Sequence, residues 1–225
     1  MPSGEDFFRF EKMNKAELEK IWSQVPVDYY EKGIVRNLGQ RYWHKQKFLV
    51  IKKLLADFFP GKILDIGSNG GGLTAKIANL FPKAKTVGID VYEKSVFHAS
   101  SLHPNITFLV ADGQNLPFKN NHFDLILCLE TLEHVVDPNK TLLEIKRCLT
   151  KNGRAVISMD SGNLLFRIIW FFWIRFGKGR VWRGSHLTHF NKKILKEIIL
   201  KNGFLIEREI VSHFGMAVTL QLKKK

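Results

Sequence analysis

Between residues 62 and 159, five short β-rich runs alternate with stretches of helical spacing, and this alternation constrains the fold more than any other feature. The runs are 62–66 (KILDI), 85–90 (KTVGID), 106–111 (ITFLVA), 123–128 (FDLILC) and 154–159 (RAVISM). Helices are predicted near 72–81, 93–101 and 138–150. The last is opened by the capping acid and first-turn proline of Asp137-Pro138 and closed by Asn152-Gly153. Strands and helices in this rhythm form a parallel sheet covered on both faces. Upstream, 14–24 and 44–59 have helical spacing; Phe48, Ile51, Leu54, Leu55 and Phe58 share a face, and Pro60-Gly61 ends the run. Downstream, a helix is expected from Asn191 to Lys201, followed by apolar runs 204–211 and 214–222 as a hairpin-like pair. The expected architecture is an α/β three-layer sandwich, with a mostly parallel seven-stranded sheet whose last strand is antiparallel.

The first β run leads into "ILDIGSNGGGLTAKIA" (63–78), with four glycines in six residues before a helix. Such a turn aims backbone N–H groups and a positive helix end at a ligand. Gly67 permits the tight turn, and Gly70, Gly71 and Gly72 permit close approach. Asp90 ends the second strand, where a carboxylate can accept both hydroxyls of a ribose; Asp112 ends the third, beside Gly113 and Gln114, where it can meet an adenine amino group. A glycine-rich turn alone is weak; the acids at successive strand ends make it specific.

"LDIGSNGGG", "VGID", "VADGQNLPF", "FDLILCLETLEHVVDP" and "LLEIKRCLTKNGRAVIS" together resemble the successive motifs of class I S-adenosylmethionine-dependent methyltransferases. Within that superfamily, which has a Rossmann-like fold, the chain is similar to the small-molecule group containing the ubiquinone-biosynthesis O-methyltransferases. The resemblance covers about residues 45–160, and "HLTHFNKKILKEIILKNGF" extends it. It implies that Asp65, Gly67, Ser68, Asn69 and Gly71 embrace the methionine part of S-adenosyl-L-methionine. Asp90 would hold the ribose, Val91 would also touch the cofactor, Asp112, Gly113 and Gln114 would hold the adenine, and Leu129 and Glu130 would lie beneath the cofactor. Asn69 stands where the family loop has glycine in a left-handed turn, and asparagine tolerates that conformation best. A dehydrogenase is less consistent, because the strict G-x-G-x-x-G spacing is missing. The implied organisation is one methyltransferase domain over 1–225: a helical cover (1–60), a cofactor core (61–160), an apolar insertion or lid (161–190) and a C-terminal helix with strands (191–225).

The chemistry is expected in "CLETLEHVVDP". Glu130, Glu133 and His134 have E-x-x-E-H spacing, which puts Glu130 and His134 on one face if the turn is helical. His186 and His189 follow in "SHLTHFN". Three readings stand: these residues shape the pocket floor, His134 or His186 is a general base for a hydroxyl, or Glu130, Glu133, His134 and His186 bind a divalent cation such as Mg²⁺, Mn²⁺ or Zn²⁺. No Asn/Asp-Pro-Pro-aromatic stretch follows the fourth strand, so the usual amino-methylating motif is missing. Cys128 lacks the proline-cysteine context of cytosine C5 enzymes. It reads, with Cys148, as a reduced core thiol.

Within "GNLLFRIIWFFWIRFGKGRVWRG" (162–184) the apolar run from Leu164 to Phe176 has thirteen residues, too few to span a bilayer, which takes ~20. Aromatic and edged by basic residues, it reads as an interfacial helix, a lid, or a core or oligomer contact. "QRYWHKQKF" (40–48) is expected to cover the site with Tyr42, Trp43 and His44. Thirty-five Lys and Arg against 21 Asp and Glu give +14, a balance that attracts nucleic acid, anionic lipid or an anionic substrate. "MPSGEDFFRF" has no apolar signal region, so the expected location is cytoplasmic, with peripheral contact through 164–176 on the inner face of a membrane. The function expected is methylation, at a hydroxyl, of a hydrophobic small molecule or lipid. The alternatives are a metal-assisted RNA 2′-O-methyltransferase and a non-catalytic binding protein that kept the cofactor fold.

Overall fold

In β1 (Lys62–Ile66) the chain alternates between two cores: Ile63 enters one, while Leu64 and Ile66 enter the other. β4 (Phe123–Leu129) does the same, with Leu125, Leu127 and Leu129 on one face and Ile126 and Cys128 on the other. Strands apolar on both faces need helices on both faces. The computed structural model describes residues 15–188 and 190–225 and supplies them. One layer packs α3 (Leu38–Leu54) and α4 (Gly72–Leu80) through Val50, Ile51, Leu54 and Ile77. The opposite layer packs α6 (Pro138–Cys148) and α8 (Lys192–Lys201) through Leu142, Ile145, Leu195 and Ile199. At the far edge, α5 (Glu93–Leu102) sets Val96 and Ala99 against Phe108 of β3 (Thr107–Val110).

The remaining strands are β2 (Lys85–Asp90), β5 (Leu149–Asp160), β6 (Phe204–Ser212) and β7 (Ala217–Lys224). The seven-stranded sheet has the order β3-β2-β1-β4-β5-β7-β6, parallel except for β7, which runs antiparallel to both of its neighbours. This is the expected architecture, and the hairpin-like pair is β6 with β7. The order turns outward in both directions from β1 and β4, so their carboxyl ends form the crevice where such sheets bind ligands.

Local expectations shift in four places. The first helix is α1 (Lys15–Trp22), and residue 14 lies outside the described residues. A further helix, α2 (Tyr29–Arg36), was not expected. α3 begins six residues earlier than its apolar face indicated, because the Asn37 side chain accepts from the Gln40 N–H and caps it there. It also ends earlier, at Leu54, leaving Phe58 outside the helix. Finally, Asn152-Gly153 does not close α6. That helix stops at Cys148, and the strand register jumps between the pairs Phe123–Leu149 and Leu125–Arg154, which makes residues 150–153 a bulge. The segment 164–176 is a helix, α7 (Leu164–Phe176), capped by Asn163 accepting from the Phe166 N–H. No described helix is long and apolar enough to cross a membrane.

Candidate functional site

The glycine turn after β1 is left-handed at three points: Gly67 (φ 77°), Asn69 (φ 46°) and Gly71 (φ 80°). Asn69 tolerates this because its own Oδ1 accepts from the Gly70 N–H, a local bond that only a short polar side chain can make. A Cβ on Gly67 would stand 2.4 Å from Thr131 Oγ1, and one on Gly71 would stand 2.7 Å from Phe108, so both positions exclude side chains. The strand ends then fix the acids. Asp90 Oδ2 accepts from the Asn69 N–H and Oδ1 from the Tyr92 N–H, both at 2.9 Å, which ties the end of β2 to the loop of β1. Asp65 is buried and accepts from Thr74 Oγ1 at 2.6 Å. Burial lifts its carboxyl to about 7 against the lowering bond from Thr74, with Asp90 raising it further. Burial also raises Asp90, partly offset by the amides it accepts from.

These residues line a cavity of about 390 Å³, with Ser68, Val91, Asp112, Gly113, Leu129 and Glu130 in its wall and Ile21, Trp22 and Val25 of the helical cover across it. The cavity fits the cofactor that the motifs imply. Asp90 keeps lone pairs beyond the two its amides occupy, and the buried Ser68 Oγ has no hydrogen-bond partner. Bare backbone lies where a sulfonium amino acid would press against it. Gln114 is not in the wall. Its amide braces Asp112 (3.1 Å) and accepts from the Asp137 N–H (2.8 Å), holding the Asp112–Gly113 loop from behind.

Glu130 lies in the wall of the first cavity as expected, but not on a helix face with His134. It sits at φ 53°, so the turn after β4 is not helical there, and only Leu132–His134 form a 3₁₀ turn. Glu130 and His134 therefore share no helix face. Trp43 Nε1 donates to Glu130 Oε1 at 2.8 Å and Lys47 Nζ to Oε2, so both oxygens are engaged by α3. Burial works to raise the Glu130 carboxyl, but Lys47, His44 and the bonds from Lys47 and Trp43 prevail and hold it down to about 2. As a metal ligand Glu130 is thus displaced by a buried ion pair.

Glu133, His134 and His186 are brought together: one ligand atom from each lies within 4.8 Å of the others. Glu133 is buried, its Oε2 has no partner, and burial pushes its carboxyl well up. His134 Nδ1 donates to the Ser185 carbonyl at 2.7 Å, which leaves Nε2 as the acceptor of a neutral ring. Burial lowers its pKa against that bond, so the neutral form prevails. His189 lies outside the described residues.

Beside this cluster is a second cavity of about 430 Å³, walled by Tyr29, Trp43, Phe166, Trp170, Trp173 and Met216. It shares Tyr30, His44, Glu130, His134 and Trp182 with the first, so the two meet at the cluster's edge. Trp170 stacks on His186 with ring centroids 5.0 Å apart, and Trp43 lies 4.1 Å from His213. Tyr42, Trp43 and His44 all line this second cavity, Tyr42 at its exposed side, stacked on Phe214. The sequence reading missed Tyr30, Lys47, Asp160 and Trp182. Lys47 left a trace: it interrupts the apolar stripe Trp43, Val50, Ile51, Leu54 at helical spacing.

Residues 64–157 match the family model described as a methyltransferase domain. The tRNA U34 carboxymethyltransferase of Campylobacter fetus is 39% identical over 99 residues, 42% of this chain and 35% of that protein. The mitochondrial ubiquinone biosynthesis O-methyltransferase of Schizosaccharomyces pombe is 33% identical over 115 residues, 48% of this chain and 41% of that protein. The matches thus span about two fifths of the length of these relatives. The fold is shared with the crystal structure of magnesium protoporphyrin IX methyltransferase from Synechocystis PCC 6803 with bound SAH, at a TM-score of 0.71 and 19% identity over 94% of this chain and 100% of that one. The domain match spans β1 to β5, where the glycine turn and strand-end acids stand around one crevice, and this core is similar to that of the class I S-adenosylmethionine-dependent methyltransferases.

Proposed function

We propose that the chain transfers the methyl group of S-adenosylmethionine to a hydroxyl on an apolar, ring-bearing small molecule or lipid. The observation that carries this reading is the aromatic cavity that shares His134 and Glu130 with the wall of the cofactor cavity. Indole and phenol walls take flat apolar acceptors by stacking and burial. When bound, the cofactor supplies an electrophilic methyl group on a sulfonium, with neutral S-adenosylhomocysteine as the leaving group. The protein supplies position and a base. Glu130, pinned by Trp43 and Lys47, stands between the two cavities as a fixed wall. His134 Nε2 would take the proton from the acceptor hydroxyl as that oxygen accepted the methyl group, which makes His134 the base.

A second reading rests on the unpartnered Glu133 Oε2. In it, Glu133, His134 and His186 hold Mg²⁺, Mn²⁺ or Zn²⁺, and the Ser185 carbonyl orients His134 as an outer partner. A cation there would lower the pKa of a bound hydroxyl, and His134 would be a ligand instead of the base. RNA as acceptor is favoured by the net charge and by the name of the Campylobacter relative, and disfavoured by the aromatic lining of the acceptor cavity.

Labelled cofactor incubated with cell extract separates these readings. Label in the organic phase is expected; label in RNA would replace the small-molecule reading, and no transfer would leave only a binding protein. His134→Ala should lower kcat by ~10²-fold or more while S-adenosylhomocysteine still binds. Full activity in excess chelator would end the cation reading, whereas loss restored by Mg²⁺, Mn²⁺ or Zn²⁺ would select it.

A further inference from the structure

Helix α7 has two unlike sides. Phe166, Trp170 and Trp173, at i, i+4 and i+7, are partly buried and wall the acceptor cavity. On the other side Leu164, Leu165, Ile168, Phe171, Phe172 and Phe176 are between 44% and 71% exposed, and no residue of the helix is buried. A contiguous apolar face of this kind marks a surface that meets something apolar.

The charges around it are of one sign. From 161 to 196 the chain carries eight Lys and Arg and no acid. Arg167 and Arg175 are exposed on the helix itself. Just beyond it, Arg183 Nε donates to the Ile174 carbonyl (2.9 Å) and Arg180 Nε to the Arg175 carbonyl (3.3 Å), which holds two more guanidinium groups at the helix end. At the opposite end stands Phe214, 78% exposed at φ 57°. Its turn is tied to the start of α7, with Asn163 Nδ2 and Ser161 Oγ both donating to the Gly215 carbonyl at 2.9 and 2.6 Å. Thirteen helical residues make a rod of roughly 20 Å, shorter than the ~30 Å hydrocarbon core, so this helix lies along a bilayer.

We propose that the outer face of α7, with Phe214, docks on an anionic bilayer, and that its inner face receives the acceptor from that bilayer. The second half rests on the small-molecule or lipid reading given above; the first does not. Charge selects the bilayer over a second copy, because a two-fold contact through this face would set like-charged arginines against each other. Anionic headgroups instead complement the basic rim while the acyl boundary takes the leucine and phenylalanine side chains.

The test is co-sedimentation of the full chain with vesicles of phosphatidylcholine alone and of phosphatidylcholine mixed with phosphatidylglycerol. Binding to the anionic vesicles, weakening as salt is raised, is expected. Phe171→Ser/Phe172→Ser should weaken it at least ~10-fold, since interfacial affinity follows buried apolar area. Neither residue lines either of the two cavities described above, so melting temperature and S-adenosylhomocysteine binding should be unchanged. Arg167→Glu, which removes no apolar surface, should reduce binding to anionic vesicles alone. Three results would overturn the proposal: no vesicle binding, undiminished binding by both variants, or a concentration-dependent dimer abolished by the serine variant in place of vesicle binding. None of these would touch methyl transfer to a dispersed acceptor, so the two readings fail separately.

Discussion

The cofactor cavity and the aromatic cavity proposed for the acceptor adjoin, yet they are built on different principles. The cofactor cavity draws its polar groups mainly from one stretch, Asp65 to Gly113, where strand ends set backbone amides and carboxylates in fixed positions. Its geometry is backbone geometry, enforced by the ladders of β1, β2 and β3. The acceptor cavity is assembled from side chains of separate elements: Tyr30 of α2, Trp43 of α3, Trp170 of α7, Trp182 of a 3₁₀ turn and Phe214 of the β6–β7 turn. Ring contacts such as Tyr30 with His44, at 4.9 Å, hold it together. The difference teaches that the first cavity is set by local backbone geometry, whereas the second is distributed over helices that can change without disturbing the sheet.

The strongest challenge to that division is aimed at its seam. Lys47 and Glu130 join the cover helix to the end of β4, and Glu130 borders both cavities. Removing one partner of a buried pair costs about 3–5 kcal/mol. Lys47→Met should therefore lower the melting temperature by on the order of 10 °C in a chain of this size. Lys47→Met/Glu130→Gln should regain most of the loss. If the single variant melts like wild type, the seam is not held by charge and the two regions are more independent than drawn.

Asp90→Ala, with two charge-assisted amide bonds and the ribose acceptor removed, should weaken S-adenosylhomocysteine binding about 100-fold by calorimetry. Trp170→Ala should leave the same constant within about twofold, because sites without shared partners add independently. An equal loss in both variants would break the comparison.

The smallest effect sharpens it. Burial lifts Asp65 to about 7. The group's folded pKa lies above its unfolded value, so its contribution to apoprotein stability is present below about pH 4 and lost as pH rises through about 7. The cofactor's ammonium favours the ionised carboxylate, so S-adenosylhomocysteine affinity should rise about tenfold from about pH 6 to about pH 8 as that proton is displaced. Asp65→Asn should flatten the profile. A slope that survives the substitution would move the titration elsewhere.

The cofactor half was legible because each of its signals is short-range. Gly67 and Asn69 announce left-handed turns by residue type, and Asp90 and Asp112 announce strand ends by position. The E-x-x-E-H run was legible only as a set of ligand types. Spacing put Glu130 with His134, but a left-handed φ at Glu130 turned it towards α3 and left Glu133, with its orphaned oxygen, facing His134 and His186. Gly153 was misread as a helix stop because a bulge and a helix end use the same dipeptide.

By itself, then, the sequence determined the sheet, its two covered faces, the glycine turn and the cofactor it receives, since these follow from side-chain period and from backbone freedom at single residues. It also determined that 164–176 would be helical and apolar. Only the tertiary structure decided that Trp170 faces inward onto His186 while Phe171 faces out, that Lys47 is buried against Glu130, and that Tyr30 and Trp182 complete the wall of the aromatic cavity. The physical reason is sequence separation. Turn and strand preferences act over a few residues, but a pocket between helices depends on how far each helix is rotated when its apolar stripe is buried, and no local preference carries that angle.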